Sequence, residues 1–112
     1  MNSILFLTKH HDGLCLWGTK LTSYNTMNTP YGRDVVRMLA DACHERGFPL
    51  CLYYSIADWH QPNYPNQGRH HELAAPEPGD QPDWSKYLDF LRAQVRELCT
   101  NCGELHGFWW DM

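Results

Sequence analysis

Several features that would mark a specialised class of protein are missing from this chain of 112 residues. No apolar run approaches the ~18 residues needed to cross a bilayer, so we expect no membrane span. Basic residues are scarce, because nine Lys and Arg face 13 Asp and Glu, and we therefore expect no nucleic-acid partner. The first residues lack a basic segment and a small-residue cleavage site and do not resemble a signal peptide. Compartment and oligomeric state stay open.

The cysteines are too few and too irregular to predict a disulfide framework. There are five, and an odd number cannot pair completely. Cys43 and Cys51 lie in apolar patterns and are predicted to be buried thiols. Cys99 and Cys102 form a single CxxC, whereas a structural zinc site needs two further ligands at matching spacing. We interpret this CxxC as a chance occurrence.

Aromatic side chains and histidines, by contrast, are plentiful. The chain has five Trp, six Tyr and seven His. Trp and Tyr combine an apolar face with a polar edge, which suits a ligand that is apolar on one side and hydroxylated on the other, such as a sugar. The alternative at this point is that the aromatics fill a core.

Apolar runs and helical stripes alternate along the chain. The runs typical of buried parallel strands are 3–8, 49–55 and 105–110. Asp34 and Asp83 are predicted to cap helices that extend to about Arg46 and Thr100. The predicted apolar stripes are Val35, Val36, Leu39, Ala42 and Cys43 in the first helix, and Tyr87, Phe90, Leu91, Val95 and Leu98 in the second. Strand–helix alternation predicts an α/β fold with parallel strands.

Each predicted strand ends on polar or aromatic side chains. The three groups are His10-His11-Asp12, Tyr53-Tyr54-Ser55 and Trp109-Trp110-Asp111. Ligands of parallel α/β folds bind at the carboxyl edge of the sheet, where these groups would meet.

The 57–81 stretch is rich in Pro, Gly, His and Asn, and an irregular segment of that length is often functional. His70 and His71 within it are predicted to be exposed.

Three strands and two helices leave two sheet edges open and cover about one face. A (β/α)8 barrel needs ~250 residues. We therefore expect this chain to be part of a larger domain.

Strand alternation also separates the side chains at the last strand end. Trp109 and Asp111 should share one face, with Trp110 on the other face against a helix. His10 and His11 are adjacent and cannot both point into one pocket from a regular strand. A bend at Asp12-Gly13 would let both reach the same ligand.

The motifs in their order resemble one enzyme family. KHHDGLCLW at 9–17 is followed by YYS at 53–55, DWH at 58–60 and WD at 110–111. This combination is similar to the retaining α-L-fucosidases of glycoside hydrolase family 29. The departures are Cys102, where many members have Tyr, and Met112, where many have Gly.

The resemblance implies a fold, a reaction and site residues. The fold is a (β/α)8-like barrel, of which this chain would supply about three βα units. The reaction is removal of terminal L-fucose from oligosaccharides or glycoconjugates with retention, without cofactor or metal. Asp111 aligns with the nucleophile. His10, His11, Tyr53 and Trp109 align with residues that contact the sugar.

The resemblance also implies what lies outside residues 1–112. The family's acid/base glutamate lies beyond the nucleophile, and the barrel is usually followed by a β-sandwich. We therefore expect a partial catalytic domain that lacks N-terminal strands, the acid/base region and the sandwich.

Two alternatives remain. One is a metal-dependent barrel hydrolase that uses His10, His11 and Asp111, although such enzymes often carry His-x-His, which places both rings on one face. The other is a truncated product without activity of its own.

Overall fold

The structure is a computed structural model that describes residues 2–65, 79 and 81–111. Three parallel strands form one sheet in the order β1-β2-β3. The strands are β1 Ile4–Lys9, β2 Leu50–Ser55 and β3 Gly107–Asp111, and the helices are α1 Val35–Glu45 and α2 Trp84–Asn101. The predicted elements and their order are thus confirmed, with ends displaced by one or two residues. No helix in the described part of the chain is long and apolar enough to cross a membrane.

The helix ends follow the local chemistry that the sequence predicts. The Asp34 carboxylate accepts a hydrogen bond from the Arg37 backbone N–H, and Asp83 accepts one from Lys86 in the same way. Both satisfy amides that a first helical turn leaves without partners. Gly47 follows α1 with a φ of 62°, a left-handed conformation that favours glycine. These signals account for where α1 begins and ends.

The two faces of the sheet differ in cover. Leu50, Leu52 and Tyr54 of β2 are fully buried in one cluster with side chains of both helices. We call this the covered face. Its helical partners are Val36, Ala40 and Cys43 from α1 and Leu98 from α2.

The opposite face, which we call the uncovered face, carries the alternate side chains of each strand. Leu5 on it is 51% exposed and Trp109 is 60% exposed. Strand register places Cys51 beside Leu5, and Tyr53 beside Trp109. The expectation of one covered face is therefore confirmed, whereas the outer edge of β1 is partly paired: the Leu16 N–H donates to the Thr8 carbonyl oxygen, and Lys9 forms a bridge with Cys15.

Two details of the predicted core are wrong, and one buried residue was not predicted. Cys51 is only partly buried, because it alternates onto the uncovered face, whereas Cys43 is buried as predicted. Ala42 is exposed, and Ala40 takes its place against the sheet. In α2 the polar Gln94 is fully buried within the predicted apolar stripe.

The end of β1 contains a β-bulge. Leu7 pairs with Tyr53, but Lys9 pairs with Tyr54, so β1 carries one extra residue at Thr8. The Thr8 hydroxyl donates to the Tyr53 carbonyl oxygen over 2.6 Å. A one-residue shift exchanges the faces of all later side chains. Lys9 consequently turns to the covered face, and the next residue, His10, turns toward Tyr53.

Residues 1–112 expressed alone are expected to aggregate, because one face of the sheet exposes apolar side chains and β1 and β3 lie at its edges. A Leu5→Ser/Trp109→Ser variant should increase the monomeric fraction in size-exclusion chromatography while keeping the circular dichroism spectrum. Leu52→Ser is the matched control on the covered face and should lose helical signal. A soluble wild-type monomer with a cooperative thermal transition would contradict this expectation.

Candidate functional site at the carboxyl edge of the sheet

Four side chains named from the sequence converge where the strands end. The Tyr53 hydroxyl donates to Oδ2 of Asp111 over 2.7 Å. The His10 ring stacks on the Tyr53 ring, with centroids 5.7 Å apart. The His11 ring centroid lies 4.3 Å from that of His10. The structure therefore brings a carboxylate, a phenol and two imidazoles into one group, from the ends of all three strands.

The bend that brings the two histidines together follows directly after β1. The Gly13 N–H donates to the His10 carbonyl oxygen over 3.0 Å, which closes a tight turn. Gly13 has a φ of 84° in this turn. The predicted bend is confirmed. The bulge in β1, which no sequence motif predicted, also contributes, because it turns His10 toward Tyr53.

Hydrogen bonding determines which ring nitrogen of His11 donates. His11 Nδ1 lies 2.5 Å from the Ser55 hydroxyl oxygen. The Ser55 hydroxyl proton is already donated to the Ala57 carbonyl oxygen, 2.8 Å away. With the Ser55 proton directed to Ala57, this contact assigns the proton to Nδ1 of His11. In the neutral ring, Nε2 of His11 is then the acceptor.

Tyr53 is a permanent donor at neutral pH. Partial burial, with the hydrogen bond to Asp111 and its negative charge as further causes, raises the pKa of Tyr53 to about 12. The Asp111 carbonyl oxygen also accepts the Ile56 N–H over 2.6 Å. Asp111 is thus held through both its side chain and its backbone, although it remains exposed.

The two tryptophans before Asp111 separate as predicted. Trp109 pairs with Tyr53 on the uncovered face and borders a shallow apolar hollow with Leu5 and Cys51. Trp110 lies on the covered face, with its ring edge-on to Tyr54. It is 48% exposed and also stacks on Phe108 of β3, so packing against a helix stays a prediction.

Four further residues at this edge were not assigned roles from the sequence. Ser55 contacts His11, and the Trp59 ring lies 5.5 Å from the His11 ring. Lys9 and Asp58 form a buried ion pair of 2.9 Å directly behind the histidines. The signal available for this pair was a lysine at the end of an apolar strand, since a buried lysine requires a partner.

Other candidate features lie apart from this group. Cys99 and Cys102 are free thiols, one exposed and one buried. In residues 2–65, 79 and 81–111, no three His, Cys, Asp or Glu side chains form a group that could hold a metal. A hollow of about 350 Å³ lies at the opposite edge, where the strands begin, next to His44 and His106. His70 and His71 lie outside the described residues.

Comparison with known proteins identifies the family. The family model for alpha-L-fucosidase matches residues 1–112, the whole chain. The chain belongs to the alpha-L-fucosidase family. Alpha-L-fucosidase 1 of Arabidopsis thaliana is 33% identical over 111 residues, which are 96% of this chain and 19% of the plant protein. The chain thus spans about a fifth of the length of such relatives.

Solved alpha-L-fucosidase structures share the fold. Isoenzyme 1 from Paenibacillus thiaminolyticus matches with a TM-score of 0.89 and 41% identity, over 100% of this chain and 27% of that chain. A glycoside hydrolase family 29 alpha-L-fucosidase from Bacteroides thetaiotaomicron matches with a TM-score of 0.79 and 33% identity, over 98% and 24%. The strands and helices therefore correspond to one part of these larger enzymes.

Activity and stability can be tested in a larger enzyme of the same family. We define the grafted enzyme as the Paenibacillus alpha-L-fucosidase in which residues 1–112 replace the matching segment.

The Gly13 turn offers a test of how closely it packs against the segment that contains Asp58 and His60. A Cβ on Gly13 would lie 2.5 Å from Asp58 Oδ1 and 2.7 Å from His60 Cβ, whereas a Cβ on Gly47 meets nothing within 4 Å. Both glycines have a positive φ, 84° at Gly13 and 62° at Gly47, so each substitution places alanine in a conformation that favours glycine.

In the grafted enzyme, Gly47→Ala should therefore cost about 1 kcal/mol of unfolding free energy. Gly13→Ala should cost at least twice as much, because Asp58 and His60 must also move. Urea unfolding of the two variants measures the difference. Equal losses would show that the Gly13 turn tolerates a side chain and that the loops are not tightly packed.

Proposed function

We propose that residues 1–112 form part of the (β/α)8-like catalytic barrel of an alpha-L-fucosidase that hydrolyses terminal α-L-fucosyl linkages with retention. Asp111 is the nucleophile in this proposal, and the intermediate is a covalent fucosyl-enzyme. The observation that carries it is the hydrogen bond from Tyr53 to Asp111 beside the stacked His10 ring. A carboxylate is thereby oriented next to groups that bind hydroxyls.

The position of Asp111 suits nucleophilic attack. It ends a strand, and side chains on regular elements are placed more rigidly than those on loops. Its exposure leaves room for a ligand. In the first step, a carboxylate oxygen of Asp111 bonds to the anomeric carbon as the bond to the leaving oxygen breaks. A water then releases fucose from the intermediate.

The first step also needs an acid. Retaining enzymes place a second carboxyl group ~5–5.5 Å from the nucleophile, and it protonates the leaving oxygen. No residue of this chain is proposed for that role. The acid/base residue, the remaining strands and a following β-sandwich are proposed to lie outside residues 1–112.

Sugar recognition is proposed for His10, His11, Tyr53 and Trp109. Neutral imidazoles both donate and accept hydrogen bonds, which matches sugar hydroxyls. In particular, Nε2 of His11 is positioned as an acceptor because Nδ1 donates to Ser55. Trp109 offers an exposed aromatic face on the same side of the sheet as Asp111. Such a surface suits the apolar part of a deoxy sugar.

The related structures support this chemistry. The structure of the Bacteroides thetaiotaomicron enzyme is described as that of a trapped covalent intermediate, in complex with 2-fluoro-fucosyl fluoride. An alpha-L-fucosidase from Lactobacillus casei is described in complex with α-L-fucose product. We propose by similarity that the substrate here is a fucosylated oligosaccharide or glycoconjugate.

Asp111→Gly should reduce the turnover of an aryl α-L-fucoside by the grafted enzyme by several orders of magnitude, because no covalent bond can form. Azide should restore part of the rate by occupying the vacated space and attacking the anomeric carbon. The product would then be a fucosyl azide of inverted configuration, detectable by NMR. Asp41→Ala, an exposed carboxylate on α1, is the control and should keep full turnover. Near-normal turnover by Asp111→Gly would refute the assignment of Asp111 as the nucleophile.

His10→Ala and His11→Ala should each weaken the binding of L-fucose to the grafted enzyme by about 1–3 kcal/mol, because a buried sugar hydroxyl loses its partner. Isothermal titration with L-fucose measures the loss, and the exposed His106→Ala is the matched control. A chelator should leave turnover unchanged in the parent graft. Loss of activity on chelation, with stoichiometric metal in the purified protein, would replace this proposal with the metal-dependent alternative.

A further inference from the structure

A lysine ammonium is buried directly behind the two histidines. Lys9 is 0% exposed, and its Nζ donates to Asp58 Oδ2 over 2.9 Å. It also donates to the hydroxyl oxygens of Tyr54 and Tyr87 over 3.2 and 3.1 Å. An ammonium has three donors, and here each has its own acceptor. Burial lowers the pKa of Lys9, an effect that the adjacent Asp58 carboxylate opposes.

The acceptors of Lys9 are themselves anchored. The Tyr54 hydroxyl donates to Gln94 Oε1 of α2, and the Tyr87 hydroxyl donates to the Ile56 carbonyl oxygen, both over 2.6 Å. Since each phenol uses its proton in this way, each must accept from Lys9. The direction of every hydrogen bond around the ammonium is therefore determined. The network ties the end of β1 to β2, α2 and the segment after β2.

Asp58 extends the network into the segment that contacts the histidines, which we call the 57–61 loop. Its Oδ1 accepts the backbone N–H of His60 and of Gln61 over 2.9 and 2.8 Å. Between these contacts, the Trp59 N–H donates to the His11 carbonyl oxygen over 2.7 Å. The carboxylate thus holds the loop with one oxygen and Lys9 with the other. The 57–61 loop in turn holds the backbone of His11 through the Trp59 N–H.

The bulge in β1 gives Lys9 a second connection to the site. Because of the extra residue, Lys9 faces Tyr54 while His10 faces Tyr53. Slippage by one residue would move the ammonium to the uncovered face and turn His10 away from Tyr53. The ion pair on the covered face therefore stabilises the register on which the placement of His10 depends.

Stability alone does not explain such a pair. Removing two charges from water is costly, and replacing a buried ion pair with apolar side chains is often neutral or stabilising. A buried pair does, however, hold its partners in one geometry. Here that geometry is shared by the end of β1 and the 57–61 loop.

We propose that Lys9 and Asp58 are positioning residues that fix the end of β1 to the 57–61 loop and so hold His10 and His11 in place beside Asp111. The inference rests on the proposed function, because it assumes that the histidines bind the sugar. Neither Lys9 nor Asp58 touches substrate in this scheme. Their effect reaches the ligand through backbone placement.

The test separates positioning from stability with a double substitution, Lys9→Met/Asp58→Asn, in the grafted enzyme. It removes both charges together, so neither is left buried and unpaired, and the side-chain amide oxygen introduced at position 58 can still accept the loop N–H groups. We expect a melting temperature close to that of the parent graft. We also expect kcat/KM for an aryl fucoside to fall about 10- to 100-fold, mainly through KM, because the histidines are displaced.

A second measurement does not depend on activity. Hydrogen exchange at the Trp59 amide should accelerate in the double variant, because its bond to His11 is no longer held, while exchange within α1 stays unchanged. The matched control is Arg37→Met/Asp41→Asn, which removes an exposed ion pair of 3.3 Å on α1. It should change neither kcat/KM nor exchange at Trp59.

The outcomes are distinct. A stable double variant with parental KM and parental exchange would overturn the positioning role and leave an ordinary buried pair. If the double variant does not fold, Lys9→Met alone, in which the Asp58 carboxylate keeps its bonds from His60 and Gln61, must show the same rise in KM below its own melting temperature. A parental KM there overturns the proposal. A parent graft that melts cooperatively at the temperature of the host enzyme but lacks fucosidase activity would refute the proposed function instead, and the exchange measurement would still decide whether the pair holds the loop.

Discussion

Parallel pairing on both sides of β2 is the constraint on which the rest of the structure depends. It brings the carboxyl ends of all three strands to one edge, so residues as distant in the chain as His10 and Asp111 meet there. The same pairing requires long connections, and these are the two helices. Because both helices pack on one face of the sheet, the other face is left for Tyr53, Trp109 and Asp111. Cover on one side and the site on the other are thus two results of one topology.

Much of this architecture follows from local signals in the sequence. Asp34 and Asp83 cap helices because a carboxylate there satisfies free amides, and this chemistry needs no knowledge of the rest of the fold. The strands are apolar runs of the length that buried parallel strands require. Once parallel strands are predicted, the meeting of His10, Tyr53 and Asp111 at one edge follows from geometry.

The remainder depends on contacts that no local pattern contains. The bulge at Thr8 is a matter of register between β1 and β2, and it determines which side Lys9 and His10 take. Gln94 looks misplaced within an apolar stripe until the Tyr54 hydroxyl is seen donating to it. Cys51 was expected to be buried because its neighbours are apolar, but alternation places it on the uncovered face. Each case is a pairing between segments distant in sequence.

A network of buried polar side chains next to the site makes this part of the core rigid. The Lys9 ammonium, two phenols, Gln94 and Asp58 satisfy one another in a continuous network, and satisfied networks of this kind rigidify a core. Gln94 also donates to the Cys15 thiol over 3.3 Å, which extends the network toward the turn that follows the histidines. Burial raises the pKa of Cys15 to about 12, so this thiol stays protonated and unreactive.

Tyr53 has a place in the site that links its two halves. One end of the residue donates to Asp111 and its ring face supports His10. A ligand that displaces His10 or Asp111 therefore also shifts Tyr53, and through Tyr53 it affects the other residue. Substitutions at His10 and Asp111 are therefore expected not to have additive effects, because both residues contact Tyr53. In the proposed function, this one aromatic ring would join the residue that binds the sugar to the residue that attacks it.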